Sequence, residues 1–344
     1  MTAAASREPV IGILYTGGTF GMVRSERGYT PSADLPERAD RALAAAGHED
    51  LPRLRWLEHE AGPPVNSSDI QPAFWFRLAA AIQAHAYACD GFVVVHGTDT
   101  LAYTGSALSF LLANLDRPVV VTGARAPLGE DGSDALANLV GSVRAAAAGV
   151  TREVTLAFGG RLLRANRASK RFASRERVFD APNAPPLARL GSRLEWTDAE
   201  PAPTLALPES AAHDRRVAML PMFPGVNGDM IRALVNQRTA AMILEAYPAG
   251  VGPGGDEDFV AAVRTAVESG VIVVAVPQSR HGRITLGRYA TSTPLADAGL
   301  IGGEDMTREA ALAKLHWLLG TGLDSDVLRT HFGQNLRGEL SSSG

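Results

Sequence analysis

The chain has 344 residues, 46% of them hydrophobic and 20% charged, with a formal net charge of −4. That is enough chain for two domains and for a core that needs no staples. With acids and bases balanced and no basic tract, nucleic acid is excluded as an expected partner. The one cysteine, Cys89, rules out a disulfide within the chain and reads as a small core residue. Residues 1–9 lack the apolar region of a signal peptide, and no apolar run approaches the roughly 20 residues of a membrane span. A cytoplasmic protein without membrane contact is expected.

Strand-like and helix-like stretches alternate from the start. The run 9–15 reads as a strand, and 33–46 and 71–88 read as helices, the second with Pro72 in its first turn. Strand 91–95 follows, then helix 101–115, strand 118–121, helix 134–148 and strand 153–158. Such alternation implies α/β architecture with a mostly parallel sheet. Residues 191–214 are rich in proline and have no period, so they read as a linker between domains at 1–190 and 215–344. Beyond it, 217–220, 242–244 and 271–276 read as strands. Stretches 228–236, 256–268 and 307–319 read as helices, the last two with Asp256 and Thr307 as N-caps.

Two threonine-rich turns stand out. Thr16-Gly17-Gly18-Thr19 follows the first strand, and His96-Gly97-Thr98-Asp99-Thr100 follows strand 91–95. Both fall at the carboxyl ends of buried parallel strands, where open α/β sheets place ligands. A threonine hydroxyl becomes a nucleophile only when a base removes its proton. Thr19 is the candidate, and the glycine-bearing loop 21–31 would bring Tyr29 to it. Asp99 would orient a cation, and Lys170 beside it would suit proton transfer. The competing reading is helix capping by Thr98 or Asp99, with Lys170 solvated. Asn66-Ser67-Ser68-Asp69 resembles a cap and equally presents polar groups to a small zwitterion. His96 reads as packed rather than as a base. No Walker-type phosphate loop and no metal-binding pair occurs.

Taken together, these segments resemble a cytoplasmic-type (type I) bacterial L-asparaginase of the asparaginase/glutaminase family. The resemblance is carried by Tyr15-Thr-Gly-Gly-Thr-Phe-Gly-Met22 and Arg24-Ser-Glu-Arg-Gly-Tyr29, then by Ser67-Ser-Asp69. His96 to Phe110, Val119-Val-Val-Thr-Gly123, Gly302 to Thr307 and Gln334 to Leu340 extend it, colinear over essentially the whole chain. It implies a larger N-terminal domain with a mostly parallel sheet, a linker and a smaller flavodoxin-like C-terminal domain. It also implies hydrolysis of L-asparagine to L-aspartate and ammonia through a β-aspartyl ester on Thr19. By the family pattern Tyr29 helps activate Thr19, and Thr98, Asp99 and Lys170 form a relay in which Thr98 can position water. Asp99 would bind the substrate ammonium and Ser67 its carboxylate, with Asn66 and Ser68 adjoining. Backbone N–H groups near Thr98 would hold the oxyanion. No metal or organic cofactor is implied. A homodimer or homotetramer is implied, with a neighbouring subunit completing the site.

Some positions depart from the family pattern. Asn66 stands where aspartate is usual, and Val251 where an asparagine reaches the neighbour's substrate. Glu245 and Ser279 replace the arginine and cysteine of members with an asparagine effector site, so effector activation is expected to be absent or altered. Two other functions fit the same scaffold: a broader glutaminase-asparaginase, or a catalytically silent amino-acid binder. The second is disfavoured because Thr19, Tyr29, Thr98, Asp99 and Lys170 are all present.

Overall fold

The computed structural model describes residues 7–26, 28–173, 177–250 and 252–341. The chain forms two compact units, one running to Ala181 and including Pro185–Pro201, the other comprising Pro182–Ala184 and the chain from Ala202.

In chain order the first unit contains β1 (Val10–Tyr15), β2 (Met22–Ser25), β3 (Gly28–Pro31), α1 (Leu35–Ala45) and β4 (Arg53–Trp56). Then come α2 (Pro72–Ala84), β5 (Gly91–Val95), α3 (Leu101–Leu111), β6 (Val119–Thr122), α4 (Ala135–Ala148) and β7 (Val154–Phe158). β8 (Arg161–Arg164), β9 (Ser169–Lys170), β10 (Phe179–Asp180), β11 (Ala188–Leu190) and β12 (Leu194–Trp196) complete it. Eight strands form one sheet in the order β12-β11-β8-β7-β6-β5-β1-β4. β4, β1, β5, β6 and β7 run parallel. β5, β6 and β7 are buried at every position, which is why they read as continuous apolar runs rather than alternating ones. On one face Leu139 and Val143 of α4 pack among Ile13, Val93, Val95 and Val120.

After β7 the chain reverses. Gly159 and Gly160, both at positive φ, close a two-residue turn that pairs Phe158 with Arg161, so β8 is antiparallel. The stretch 191–214, expected to be linker, opens on β12, which pairs antiparallel with β11. Leu194 and Trp196 are half-buried and Glu195 exposed, the alternation of a strand at a sheet edge. Three residues are too few to register against the prolines that follow.

The second unit has a separate four-stranded parallel sheet in the order β13-β14-β15-β16. Its elements are β13 (Arg216–Pro221), α5 (Gly228–Leu234), β14 (Thr239–Ala246), α6 (Glu257–Glu268), β15 (Ile272–Pro277), α7 (Thr293–Asp297), β16 (Ile301–Gly302), α8 (Arg308–Gly320) and α9 (Ser325–Phe332). Asp256 caps α6 by accepting from the N–H groups of Asp258 and Phe259, and Thr307 caps α8 through that of Ala310. Its core gathers Leu244, Phe259, Val263, Val273 and Ala275. No described helix is long and apolar enough to cross a membrane.

Candidate active site

The two threonine turns emerge side by side because their strands are neighbours: β1 and β5 are parallel, with Tyr15 opposite Val95. Both the N–H and the hydroxyl of Thr16 donate to Val95 O, at 2.9 and 3.0 Å, joining the strand ends. A third segment is laced to the first: Val65 N–H donates to Thr16 O at 3.0 Å, and Gly18 N–H to Val65 O at 3.1 Å.

Glycine makes this closeness feasible. A Cβ on Gly17 would lie 2.1 Å from Val65 O, one on Gly18 would lie 2.1 Å from Gly97 Cα, and one on Gly97 would lie 2.6 Å from Ser67 Oγ. Gly18 also takes φ 81° with ψ 176°, a conformation essentially reserved for glycine. The segments 16–19, 65–67 and 96–98 are therefore in backbone contact.

Thr19 heads a short 3-10 turn, Thr19–Gly21, and is half-buried. Its hydroxyl carries no hydrogen bond among the described residues. Across the strand ends, Lys170 Nζ donates to Thr98 Oγ1 at 2.9 Å and to Asp99 Oδ1 at 2.6 Å. Lys170 comes from far along the sequence. The 3-10 turn Ala165–Arg167 packs on α3 at Gly105, where a Cβ would lie 3.0 Å from that of Ala165, and β9 then carries the lysine back. Because Thr98 oxygen accepts from the lysine, its own proton is left to point elsewhere. The Thr98 N–H donates to no acceptor among the described residues, leaving it available to an oxyanion.

The capping reading fails here. The residue that caps α3 is Thr100, and it makes no side-chain cap bond, its hydroxyl donating instead to Ser67 O at 2.8 Å. Asn66 likewise makes no cap bond to the 3-10 turn Ser67–Asp69. Ser67 is buried, while Asn66 and Ser68 are exposed. Val251 lies outside the described residues.

Tyr29, expected to come to Thr19 when loop 21–31 closes over a substrate, gives its hydroxyl bond to another residue. Residues 22–31 form the β2–β3 hairpin, with Tyr29 opposite Arg24, and the ring is 43% exposed. Its hydroxyl donates to Glu130 Oε1 at 3.0 Å. Glu130 was not legible as a partner, since it lies in a glycine-flanked acidic loop of ordinary composition.

His96 is fully buried. Its Nδ1 contacts Gly97 O at 2.7 Å, which only accepts, so Nδ1 bears the proton. Nε2 then accepts from Thr104 Oγ1 at 3.0 Å, and Thr104 accepts from Trp75 Nε1 at 3.1 Å. Burial pushes the imidazole down to about 4. His96 is a neutral wedge behind the turn, and Cys89 is buried with its thiol pushed up by desolvation. Among the described residues no group of three or more His, Cys, Asp and Glu side chains could hold a metal ion.

A mostly parallel sheet with hydroxyl, carboxylate and ammonium groups converging at its carboxyl edge defines an α/β protein built to bind and process a small polar molecule. The comparisons narrow this class. Residues 10–202 match the family described as asparaginase, N-terminal, and residues 216–332 the glutaminase/asparaginase C-terminal domain. The chain is 41% identical to L-asparaginase 1 of Escherichia coli over 96% of this chain and 97% of that one. L-asparaginase I of Vibrio cholerae superposes with a TM-score of 0.86 at 36% identity, covering 97% of this chain and all of the other. The thermostable L-asparaginase of Thermococcus kodakarensis gives 0.84 at 30%, with 97% and 100% covered. This chain belongs to the asparaginase/glutaminase family.

Proposed function

We propose that this protein is an L-asparaginase, hydrolysing L-asparagine to L-aspartate and ammonia with Thr19 as nucleophile. The observation that carries the reading is the Lys170 ammonium held on both Thr98 and Asp99, beside the glycine-laced turn that ends in Thr19. Thr19 Oγ attacks the side-chain amide carbon, the C–N bond breaks, and the threonine proton leaves with ammonia. Tyr29 assists removal of that proton. Water then attacks the β-aspartyl ester, the C–Oγ bond breaks, and a proton returns to Thr19. Thr98 positions this water, and Lys170 with Asp99 moves its proton. Asp99 meets the substrate ammonium. Ser67 meets its carboxylate, with Asn66 and Ser68 at the rim, and the Thr98 N–H stabilises the developing oxyanion.

The reading extends to a cytoplasmic homodimer or homotetramer, on the strength of the resemblance to cytoplasmic-type enzymes. The test is ammonia release by the purified protein from L-asparagine, L-glutamine and D-asparagine, with Thr19→Ala alongside. We expect turnover of L-asparagine and a loss of roughly a thousand-fold or more in the variant. Glutamine differs by one methylene, a discrimination worth about 1–3 kcal/mol, so weaker glutamine turnover fits the same site. Asparagine binding without turnover would make the chain a silent binder, and full activity in Thr19→Ala would remove the nucleophile.

A further inference from the structure

His96, which is no base, sits in a buried chain of hydrogen bonds that the proposed chemistry does not use. Trp75 of α2 donates from Nε1 to Thr104 Oγ1 of α3 at 3.1 Å. Thr104 donates to His96 Nε2 at 3.0 Å, and His96 Nδ1–H donates to Gly97 O at 2.7 Å. The ends of the chain fix its direction. An indole N–H can only donate and a carbonyl can only accept, so every proton along it points toward Gly97. All four residues are buried, and the Phe74 ring stands edge-on to the imidazole with centroids 6.4 Å apart.

Gly97 O has no second donor among the described residues. The position calls for glycine, since a Cβ would lie 2.6 Å from Ser67 Oγ. Glycine also leaves the peptide plane on its carboxyl side free to turn. The hold on that plane therefore comes from the imidazole. The far end of the same peptide is the Thr98 N–H. In a planar trans amide the N–H points opposite to the C=O, so fixing Gly97 O on His96 turns the Thr98 N–H away from the buried chain.

We propose that Trp75, Thr104 and His96 position the oxyanion donor: they hold the Gly97–Thr98 amide so that its N–H meets the charge developing on the substrate's amide oxygen. This role rests on the Thr98 N–H being that donor, as proposed above. A carbonyl that accepts a hydrogen bond draws charge from its own amide nitrogen and makes the N–H a stronger donor. The linked donors behind it add to the polarisation, in a place dry enough for it to count. None of the three is a catalytic residue; they act through the Gly97–Thr98 peptide alone. The oxyanion exists only on the reaction path, so their contribution falls on kcat rather than on substrate binding.

The experiment compares His96→Asn with His96→Leu, two substitutions of nearly one shape. The Asn side-chain NH2 takes the place of Nδ1 and still donates to Gly97 O, whereas Leu leaves a buried carbonyl unpaired. Steady-state kinetics on L-asparagine are run at a temperature where both variants remain folded. His96→Leu is expected to lower kcat roughly five- to thirty-fold with KM within about two-fold, less than the loss of an oxyanion donor outright. His96→Asn should recover most of that loss. Thr104→Val, which cuts the chain behind an intact imidazole, should lower kcat roughly two- to four-fold. Equal losses in the Asn and Leu variants would make His96 a space-filler and overturn the proposal. So would a loss confined to KM, or an unchanged kcat in His96→Leu while Thr19→Ala is inactive, which leaves the proposed function standing. A parent without turnover removes the function instead. Nitrogen NMR of the imidazole then decides the hold on Gly97 O: a proton on Nδ1 supports it, and one on Nε2 overturns it.

Discussion

At the scale of single residues, His96 shows how a neighbour's chemistry decides a role. An imidazole next to a threonine turn has the chemistry of a general base, and what surrounds it takes that role away. A carbonyl on Nδ1 and a hydroxyl on Nε2 fix one neutral tautomer, and complete burial drives the group down to about 4 from an ordinary 6.5. The consequence for stability has a definite sign. Above pH 6.5 the folded and unfolded states are both neutral at this position and no proton is linked to folding. Below it the unfolded chain takes up a proton that the folded chain refuses, so stability falls until the folded group titrates near pH 4. The loss attributable to His96 is on the order of 3 kcal/mol over that window. His316 in the second unit, also pushed down to about 4 by burial and then by the charge of His213, adds to the same decline. We expect His96→Gln, which keeps an acceptor toward Thr104, to lose less stability than the parent between pH 6.5 and 4.5 in denaturant titrations. Parallel curves for the two proteins would mean that His96 already carries a proton in the fold.

At the scale of elements, the site is a product of strand ends and the glycines between them. Gly18 is the most sensitive position, since it combines a positive φ with a backbone neighbour where a side chain would go. Gly18→Ala must push the 16–19 turn off Gly97, which displaces Thr19 relative to Thr98. The expected result is a destabilisation of about 2–4 kcal/mol, from strain and lost contact, with activity reduced by roughly a hundred-fold or more. Measuring kcat at a temperature where the variant remains folded separates the two effects. The same elements explain what could be read in advance. Strands β5, β6 and β7 were legible because burial on both faces makes them unbroken apolar runs. α6 and α8 were legible because Asp256 and Thr307 announce them. The threonine turns were legible because polar groups directly after such strands need partners. By contrast, β4 reads Arg-Leu-Arg-Trp, and β8, β11 and β12 are three or four residues each, so their identity comes from the sheet they join. The meeting of Lys170 with Asp99, and of Tyr29 with Glu130, depends on chain reversals that no local pattern encodes.

At the scale of the whole molecule, each of the two units closes its own apolar core around its own sheet. Every described group proposed for the chemistry belongs to the first. The second unit carries two positions that depart from the family pattern, Glu245 and Ser279, from which altered or absent effector activation is expected. Glu245, at the end of β14, is 7% exposed, and its carboxylate oxygens lie 3.3 and 3.4 Å from the Arg308 guanidinium. An amino-acid effector needs a cation for its carboxylate. Where the resemblance calls for arginine, this chain instead presents an anion already paired with Arg308. Ser279 meanwhile turns its hydroxyl to His281 O. A second asparagine bound here would bring its carboxylate against that of Glu245, a like-charge contact in a poorly solvated place. Initial rates should therefore rise hyperbolically with L-asparagine, with a Hill coefficient near 1 and no lag at low substrate. A strongly sigmoidal curve would mean that an effector is accommodated despite the Glu245–Arg308 pair, and Glu245→Ala would then be expected to lower the half-saturating concentration by relieving the repulsion.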